Sequence, residues 1–475
     1  MTEIDLRTVP LHFYNTESRV KERFIPRGKK VTLYTCGPTV YNYAHIGNFR
    51  TYVFEDLLRR TLSFFHLEVE QAMNLTDVDD KTIKGAQKEG VSLDQFTKKY
   101  KQAFFEDLQT LGIERVEHYP AATDYILEMI EMIQKLLQSG HAYKGADGSV
   151  YFAISKFERY GCLSHLKLEE LQAGASDRVA SDEYDKEHVA DFVLWKGFDP
   201  ERDGEFYWES PFGKGRPGWH LECSTMAMNL LGETIDIHVG GTDNIFPHHE
   251  NEIAQSEACT GKTFARLWLH SEHLIVNGKK MSKSLGNFFT LRDLLERGYT
   301  GRQIRCMLLQ THYKTQLNFT FEELDAVKHS LARLDSFVIR MKECTTKKIS
   351  GKVEPVLEKT LLVFAHALAD DLNISRAFAA IFDLVREINA LDDEEEVSSQ
   401  EAEMVLALIK DIDKVLGIFA FEDVSVPKEL EAVLQEREQA RREKNWALAD
   451  ELRDKILTSG YVIEDTPAGM RLKKG

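Results

Sequence analysis

The stretch VTLYTCGPTVYNYAHIGNFRTYVFEDLLRRTLSFF, residues 31–65, constrains the fold more than any other part of the chain. Lys30–Tyr34 reads as a buried strand, and the segment from Asn48 carries Tyr52, Phe54, Leu57, Leu58 and Leu62 at helical spacing. VEQAMNLTD (69–77) is a second strand candidate. Helical patterns follow at Leu93–Leu111 and Asp124–Gln138, the latter stopped by Gly140. This β-α-β-α order predicts a doubly wound, parallel-sheet α/β fold of the Rossmann-like kind.

With 475 residues the chain exceeds one hydrophobic core, and two to four domains are expected. Residues from about 143 to 210 break the α/β rhythm. AYKGADGSVYFAIS looks like a hairpin there, so the region reads as an insertion. The rhythm resumes at GWHLECSTMAMNLLG and runs to about residue 290. Beyond it Leu324, Val327, Leu331, Leu334, Val338 and Met341 mark one helix face. Similar faces recur at 356–369, 375–389 and 401–416, the last closed by Gly417, and predict a small antiparallel bundle. The acidic run at 392–403 reads as a solvated loop and helix start. A linker around FEDVSVPKEL then leads to one final helix (about 428–458) and a short β-like tail.

The six cysteines are scattered without a CxxC pair, which points to a reduced, cytoplasmic chain whose cysteines serve metal binding or catalysis. MTEIDLRTVP has no basic-then-apolar signal region, and no apolar run reaches the roughly 18 residues of a membrane helix. The net charge of −17 argues against a broad nucleic-acid surface. A local basic face suffices, however. From Glu436 onward nine Lys/Arg stand against eight Asp/Glu.

Three strings carry chemistry. His45-Ile46-Gly47-Asn48, between a strand and a helix, places backbone N–H groups and an imidazole at a helix N-terminus, an anion site by geometry and dipole. The plain alternative is a turn with a surface histidine. NGKKMSKSLGN (277–287) sets three lysines within five residues on a glycine-bounded loop, able to clamp a polyphosphate where a lone lysine cluster would be a solvated face. The third is a metal candidate: Cys36, Cys223 and PHHENE (247–252), in which His248 and Glu252 share a face of the helix that Pro247 starts. Thiolates, imidazole and carboxylate suit zinc, whereas an isolated cysteine is usually a small buried hydrophobe. Spacing does not separate His248 from His249, nor exclude Glu250.

The first two strings together resemble the paired signature motifs of the class I aminoacyl-tRNA synthetases. The resemblance to the bacterial-type cysteinyl-tRNA synthetases runs almost end to end. It includes YTCGPTVYNYAHIGN, NLTDVDDKTI, ATDYI, DFVLWK, GRPGWHLECSTMA, DIHVGGTDNIFPHHENEIAQSEA, KKMSKSLGN, DDLNISRA and EDTPAG. It implies activation of L-cysteine with Mg2+-ATP, transfer to tRNA(Cys), and one zinc ion held by Cys36, Cys223, His248 and Glu252. It implies that Thr76, Trp219 and His238 line the amino-acid pocket. Without it, Thr76 would be a helix cap and the other two core packing. Gly240, Gly241 and Asp243 would lie near the adenosine, and His45, Asn48, Lys280 and Lys283 would handle phosphate. The domains implied are a catalytic domain in two halves (1–142 and 211–290, the second with the lysine loop) and a connective insertion (143–210). A stem-contact region (291–340), a helical bundle (341–424) and an anticodon-binding domain (425–475) complete the chain. In the last, Trp446 is either a stacking surface or an inward-packed ring. A monomer without membrane attachment is expected. The first motif commonly ends in histidine in this family, and Asn48 keeps an N–H donor without a positive charge. The nearest alternative is a cysteine ligase of the mycothiol type, which uses an amino-sugar acceptor and lacks the final domain. A non-catalytic tRNA-binding paralogue would not need the complete lysine motif and all four ligands.

Overall fold

The computed structural model describes residues 5–166, 191–421, 428–459, 461–466 and 469–474; part of the expected insertion (167–190) and most of the expected linker lie outside the described residues. The chain divides into two units, Met1–Phe419 and Ala420–Gly475.

The first unit is organised by four parallel strands. They are β1 (Lys30–Thr35), β2 (Glu68–Met73), β3 (Ile235–Gly241) and β4 (Ala265–Ser271), in the order β4-β3-β1-β2. All seven residues of β3 are buried, as expected of a parallel strand covered on both faces. Helix α1 (Ile46–Phe64) carries the chain from β1 to β2, α2 (Trp219–Leu231) leads into β3, and α3 (Glu250–Thr260) crosses to β4. Helix α1 packs with helices Gly301–Leu309 and Ser399–Leu416, whereas α2 and α3 pack with each other and with Ile126–Gln138. The chain leaves β1 toward β2 on one side and later lays β3 and β4 on the other. The topological switch point therefore falls between the C-terminal ends of β1 and β3, where open α/β sheets form their binding crevice.

The insertion contains a four-stranded antiparallel sheet: Ala142–Lys144, Val150–Phe152, Phe192–Gly197 and Gly215–Pro217. Its last strand lies beyond residue 210. The lysine string is held by a smaller sheet, with Lys279–Lys280 antiparallel to Leu274–Val276, itself parallel to Leu317–Phe319. Four longer helices follow: α4 (Phe321–Lys342), α5 (Val353–Ala369), α6 (Ile374–Asp393) and α7 (Ser399–Leu416). The six apolar residues expected on one face of α4 are all buried. At the end of the acidic run, Ser398 and Glu401 form a reciprocal capping box that starts α7, and Gly417 ends it with φ 63°.

In the second unit the single expected helix over 428–458 is two: α8 (Lys428–Arg442) and α9 (Trp446–Thr458). The break has a local cause. Lys444 takes a left-handed φ of 59°, and the Asn445 side chain then caps α9 by accepting from Leu448 N. The two helices enclose Leu430, Val433, Leu452 and Ile456, and the tail forms an antiparallel hairpin, Tyr461–Thr466 with Gly469–Lys474.

Candidate active site

At the switch point, β1 ends immediately before Cys36, whose N–H donates to the carbonyl of Val239 in β3 over 3.1 Å. The end of β3 is glycine for a steric reason. A Cβ on Gly240 would stand 2.7 Å from Cε1 of His249. Phe246 is non-helical (φ −136°, ψ 132°), and helical geometry runs on from Pro247, the start expected from sequence. This places His248, His249 and Glu252 on one buried stretch beside the two strand ends.

One ligand atom each from Cys36, His248, His249 and Glu252 lies within 4.8 Å of all the others. Cys223, from the buried side of α2, joins them through hydrogen bonds with Cys36 and His248. His249 Nε2 stands 3.2 Å from Cys36 Sγ, inside the set, while its Nδ1 lies 2.8 Å from Nε2 of His270. His270 in turn meets the Thr16 hydroxyl at 2.7 Å. Glu250 is not part of this set. It accepts from the backbone N–H groups of Gly161, Leu163 and Ser164 and so anchors the loop that follows the insertion's first hairpin.

The set fits a metal ion on two observations. His248 Nε2 and Glu252 Oε1 are 2.9 Å apart, yet that buried carboxylate oxygen has no aligned hydrogen-bond partner. Two of the donors, Glu252 and Cys223, favour the anionic forms that ligate. His248, which burial would lower, is raised to about 10 by Glu252 and Cys223 and must shed that proton to bind a metal. Burial would raise Glu252, but His238 and His248 outweigh it and hold its carboxyl at about 2. Burial likewise opposes ionisation of Cys223, but the hydrogen bond with Cys36 and the neighbouring His248 bring its thiol down to about 6. Burial, then its Cys223 neighbour, pushes Cys36 up.

The residues expected to line the amino-acid pocket border this cluster. His238 Nε2 is 2.9 Å from the second oxygen of Glu252, and its ring stacks on Trp268. Trp219 stacks on His248 with ring centroids 4.1 Å apart and 16° between planes. Thr76 caps no helix; its buried hydroxyl donates to Glu222 over 3.0 Å and accepts from Asn74. Sequence reasoning missed His220, Glu222, His270 and Trp268. The signal available was histidine inside the apolar strand RLWLHS and beside Trp219.

At the other end of the cleft, His45 is the N-cap of α1 and forms a capping box with Asn48: His45 Nδ1 accepts from Asn48 N, and Asn48 Oδ1 accepts from His45 N, both over 3.1 Å. The lysine loop reaches this turn. A Cβ on Gly47 would lie 3.2 Å from Cε of Met281. Lys280 is exposed at the end of its short strand, and the Lys283 side chain lies outside the described part of the structure. Gly241 ends β3, and Asp243 is exposed just beyond it.

The family described as "tRNA synthetases class I (C) catalytic domain" matches residues 24–329, the DALR domain matches 363–420, and the cysteinyl-tRNA ligase anticodon binding domain matches 423–471. The chain is 64% identical to the cysteine–tRNA ligase of Protochlamydia amoebophila, over the whole of both chains. It is 56% identical to that of Chlamydia muridarum, over 98% of this chain and 99% of the relative. Among solved structures, Mycobacterium tuberculosis methionyl-tRNA synthetase in complex with methionyl-adenylate superposes with a TM-score of 0.62 at 15% identity, covering 82% of this chain and 90% of that one, which shows a shared fold. A fold built around this switch point, matched along nearly its whole length, places the chain in the cysteinyl-tRNA synthetase family.

Proposed function

We propose that this chain is a cysteine–tRNA ligase that activates L-cysteine with Mg2+-ATP and transfers it to the terminal ribose of tRNA(Cys). The observation that carries the reading is the buried Cys36, Cys223, His248 and Glu252 set at the switch point of a chain that matches cysteine–tRNA ligases end to end. Those four residues would hold one zinc ion, with His249, whose Nδ1 meets His270, beside them. When bound, zinc supplies a Lewis-acid bond to the substrate thiolate. Serine lacks that bond, whereas a pocket of ordinary contacts would discriminate weakly against so close an isostere.

Thr76, Trp219 and His238 line the cysteine pocket, and the His238–Glu252 hydrogen bond fixes the orientation of both side chains. Gly240 and Gly241 bring the backbone end of β3 beside the adenosine, and Asp243 accepts from a ribose hydroxyl. The cysteine carboxylate attacks the α-phosphorus and pyrophosphate leaves. His45 and Asn48 donate to the phosphate oxygens, and Lys280 and Lys283 balance the developing charge. Asn48 spends Oδ1 on the cap, so Nδ2 is its donor to phosphate. The terminal ribose hydroxyl of the tRNA then attacks the acyl carbonyl, and AMP leaves.

Residues 1–142 and 211–290 form the catalytic domain around the 143–210 insertion, 291–340 contacts the acceptor stem, 341–424 is the bundle, and 425–475 reads the anticodon. In that last part Trp446 is 60% exposed, which favours a base-stacking surface over an inward-packed ring. No helix among the described residues is long and apolar enough to cross a membrane. We read the working unit as a cytoplasmic monomer, on the family resemblance and on cysteines that form no disulfide in the structure.

Charging of tRNA(Cys) with cysteine against serine, with metal analysis of the same preparation, tests the reading. Cysteine-specific charging by protein with one zinc per chain is expected. Cysteine-dependent ATP–pyrophosphate exchange without transfer to tRNA would instead indicate the amino-sugar ligase, and no exchange despite bound zinc would sink the adenylation chemistry.

A further inference from the structure

The two signature turns are about 235 residues apart in sequence, and the structure shows what holds one against the other. His45 pairs with Thr290 as an isolated antiparallel bridge, Ile46 N donates to the Phe289 carbonyl over 3.0 Å, and the ring of Phe288 meets His45 edge-on at 5.2 Å. These contacts lie just after the lysine loop, at its root. Two residues further on stands Arg292, in the first turn of the short helix Leu291–Glu296.

The Arg292 guanidinium carbon sits 4.8 Å from the ring centre of Tyr43, two residues before His45. Its Nη2 donates to Glu106 over 3.0 Å and lies 3.3 Å from Asp107, both on the helix Leu93–Thr110. Tyr100 of that same helix meets the other side of the arrangement, edge-on to Tyr43 at 5.6 Å and 77°. Arg292 thus ties its own segment after the lysine loop to the loop before His45 and to the helix Leu93–Thr110. A planar cation held by two carboxylates with a face left for an aromatic ring is a geometry that arginine provides and lysine does not.

We propose that Arg292, seated on Tyr43, is a positioning residue for adenylate formation. It holds the root of the lysine loop in register with the His45 turn, so that loop closure on the triphosphate moves the loop's tip alone. The proposal rests on the adenylation reading above. Neither residue touches the reacting atoms, and both act through the register of residues that do.

Steady-state cysteine-dependent ATP–pyrophosphate exchange on the full-length, zinc-loaded enzyme tests it. A cation–π contact of about 0.5–2 kcal/mol corresponds to a rate change of roughly two- to thirty-fold. Arg292→Met is expected to lower kcat about ten-fold while the KM for cysteine stays within two-fold. Tyr43→Leu is expected to match it, Tyr43→Phe to recover most of the rate because it keeps the ring face, and the double Arg292→Met/Tyr43→Leu variant to be no slower than the slower single one. Equal losses in the Phe and Leu variants, multiplying losses in the double variant, or a KM effect equal to the kcat effect would overturn the proposal. Should Arg292→Met fail to fold, the two Tyr43 variants decide alone. Wild-type protein that does no exchange would sink the adenylation reading itself, whereas active wild type with unaffected variants sinks only the Arg292–Tyr43 assignment.

Discussion

At one end of the cleft Cys36, Cys223, His238, His248, His249 and Glu252 are all buried, and each touches another member of the set. At the other end His45 and Asn48 are half-buried and Lys280 is exposed. The difference matches what the proposed function would ask of each end. Recognising one sulfur atom through a metal calls for soft donors whose orientation is fixed by their neighbours in a buried site. Handling a triphosphate that arrives, reacts and leaves as pyrophosphate requires charge that moves with it, and flexible lysines supply that. The two ends should therefore fail differently. Damage to the buried end should abolish selection, and damage to the exposed end should slow the chemistry while leaving selection intact.

The largest effect is expected from Cys223→Ser. Losing an outer-shell partner costs about 10–100-fold in metal affinity, so losing a ligand sulfur is expected to cost more, about a thousand-fold. Zinc content by metal analysis and the cysteine-to-serine preference in pyrophosphate exchange should fall together. A variant with full zinc and unchanged cysteine affinity would refute the ligand assignment. Lys283→Ala comes next. Removing one group that stabilises transition-state charge costs about 100-fold or more in rate, and the KM for cysteine should move by no more than about three-fold. Equal effects on both would make Lys283 structural and erase the contrast between the two ends.

The buried end was only partly legible in the sequence. Apolar period gives β1, α1 and β2, the last expected to run on to Asp77 but ending at Met73, and the six residues expected on the α4 face are all buried, with Phe337 buried beside them. The ligand set did not, because PHHENE offers four candidate donors in six positions. What distinguishes Glu250 is three-dimensional: it turns back to a loop almost ninety residues earlier in the chain, whereas His249 stays inside the set with His248 and Glu252. No periodicity encodes a contact of that range. The break between α8 and α9 was hidden for the opposite reason. It depends on one left-handed residue, Lys444, in a stretch whose composition favours helix throughout.

Glu250 sharpens the comparison within the buried end itself, since it neighbours the ligands without being one. Glu250→Gln keeps one acceptor oxygen and leaves some of the three loop N–H groups poorly satisfied, a loss of about 2 kcal/mol. Denaturant unfolding should show that loss while zinc content stays at one per chain. A Glu250→Gln protein that is fully stable but depleted of zinc would place Glu250 among the ligands after all.

The smallest effect, and the finest test of the exposed end, belongs to Asn48. Its Oδ1 accepts from His45 N in the capping box, so Asn48→Ala removes a helix cap worth about 1 kcal/mol whatever the ligand does. If Nδ2 also donates to phosphate, the same variant should slow pyrophosphate exchange by about ten-fold, the rate equivalent of one ordinary hydrogen bond. Stability and rate thus separate the two roles: a protein destabilised by about 1 kcal/mol with an unchanged exchange rate would leave Asn48 as a cap alone. Asn48→His distinguishes them again. At pH 8, above the ordinary imidazole value of about 6.5, a neutral ring can accept from His45 N at one nitrogen and donate at the other, so both functions should return. Below about pH 6 the protonated ring can only donate, and the cap should be lost even as positive charge is gained near the phosphates. With asparagine, this position contributes no pH dependence over that range, because its amide does not titrate.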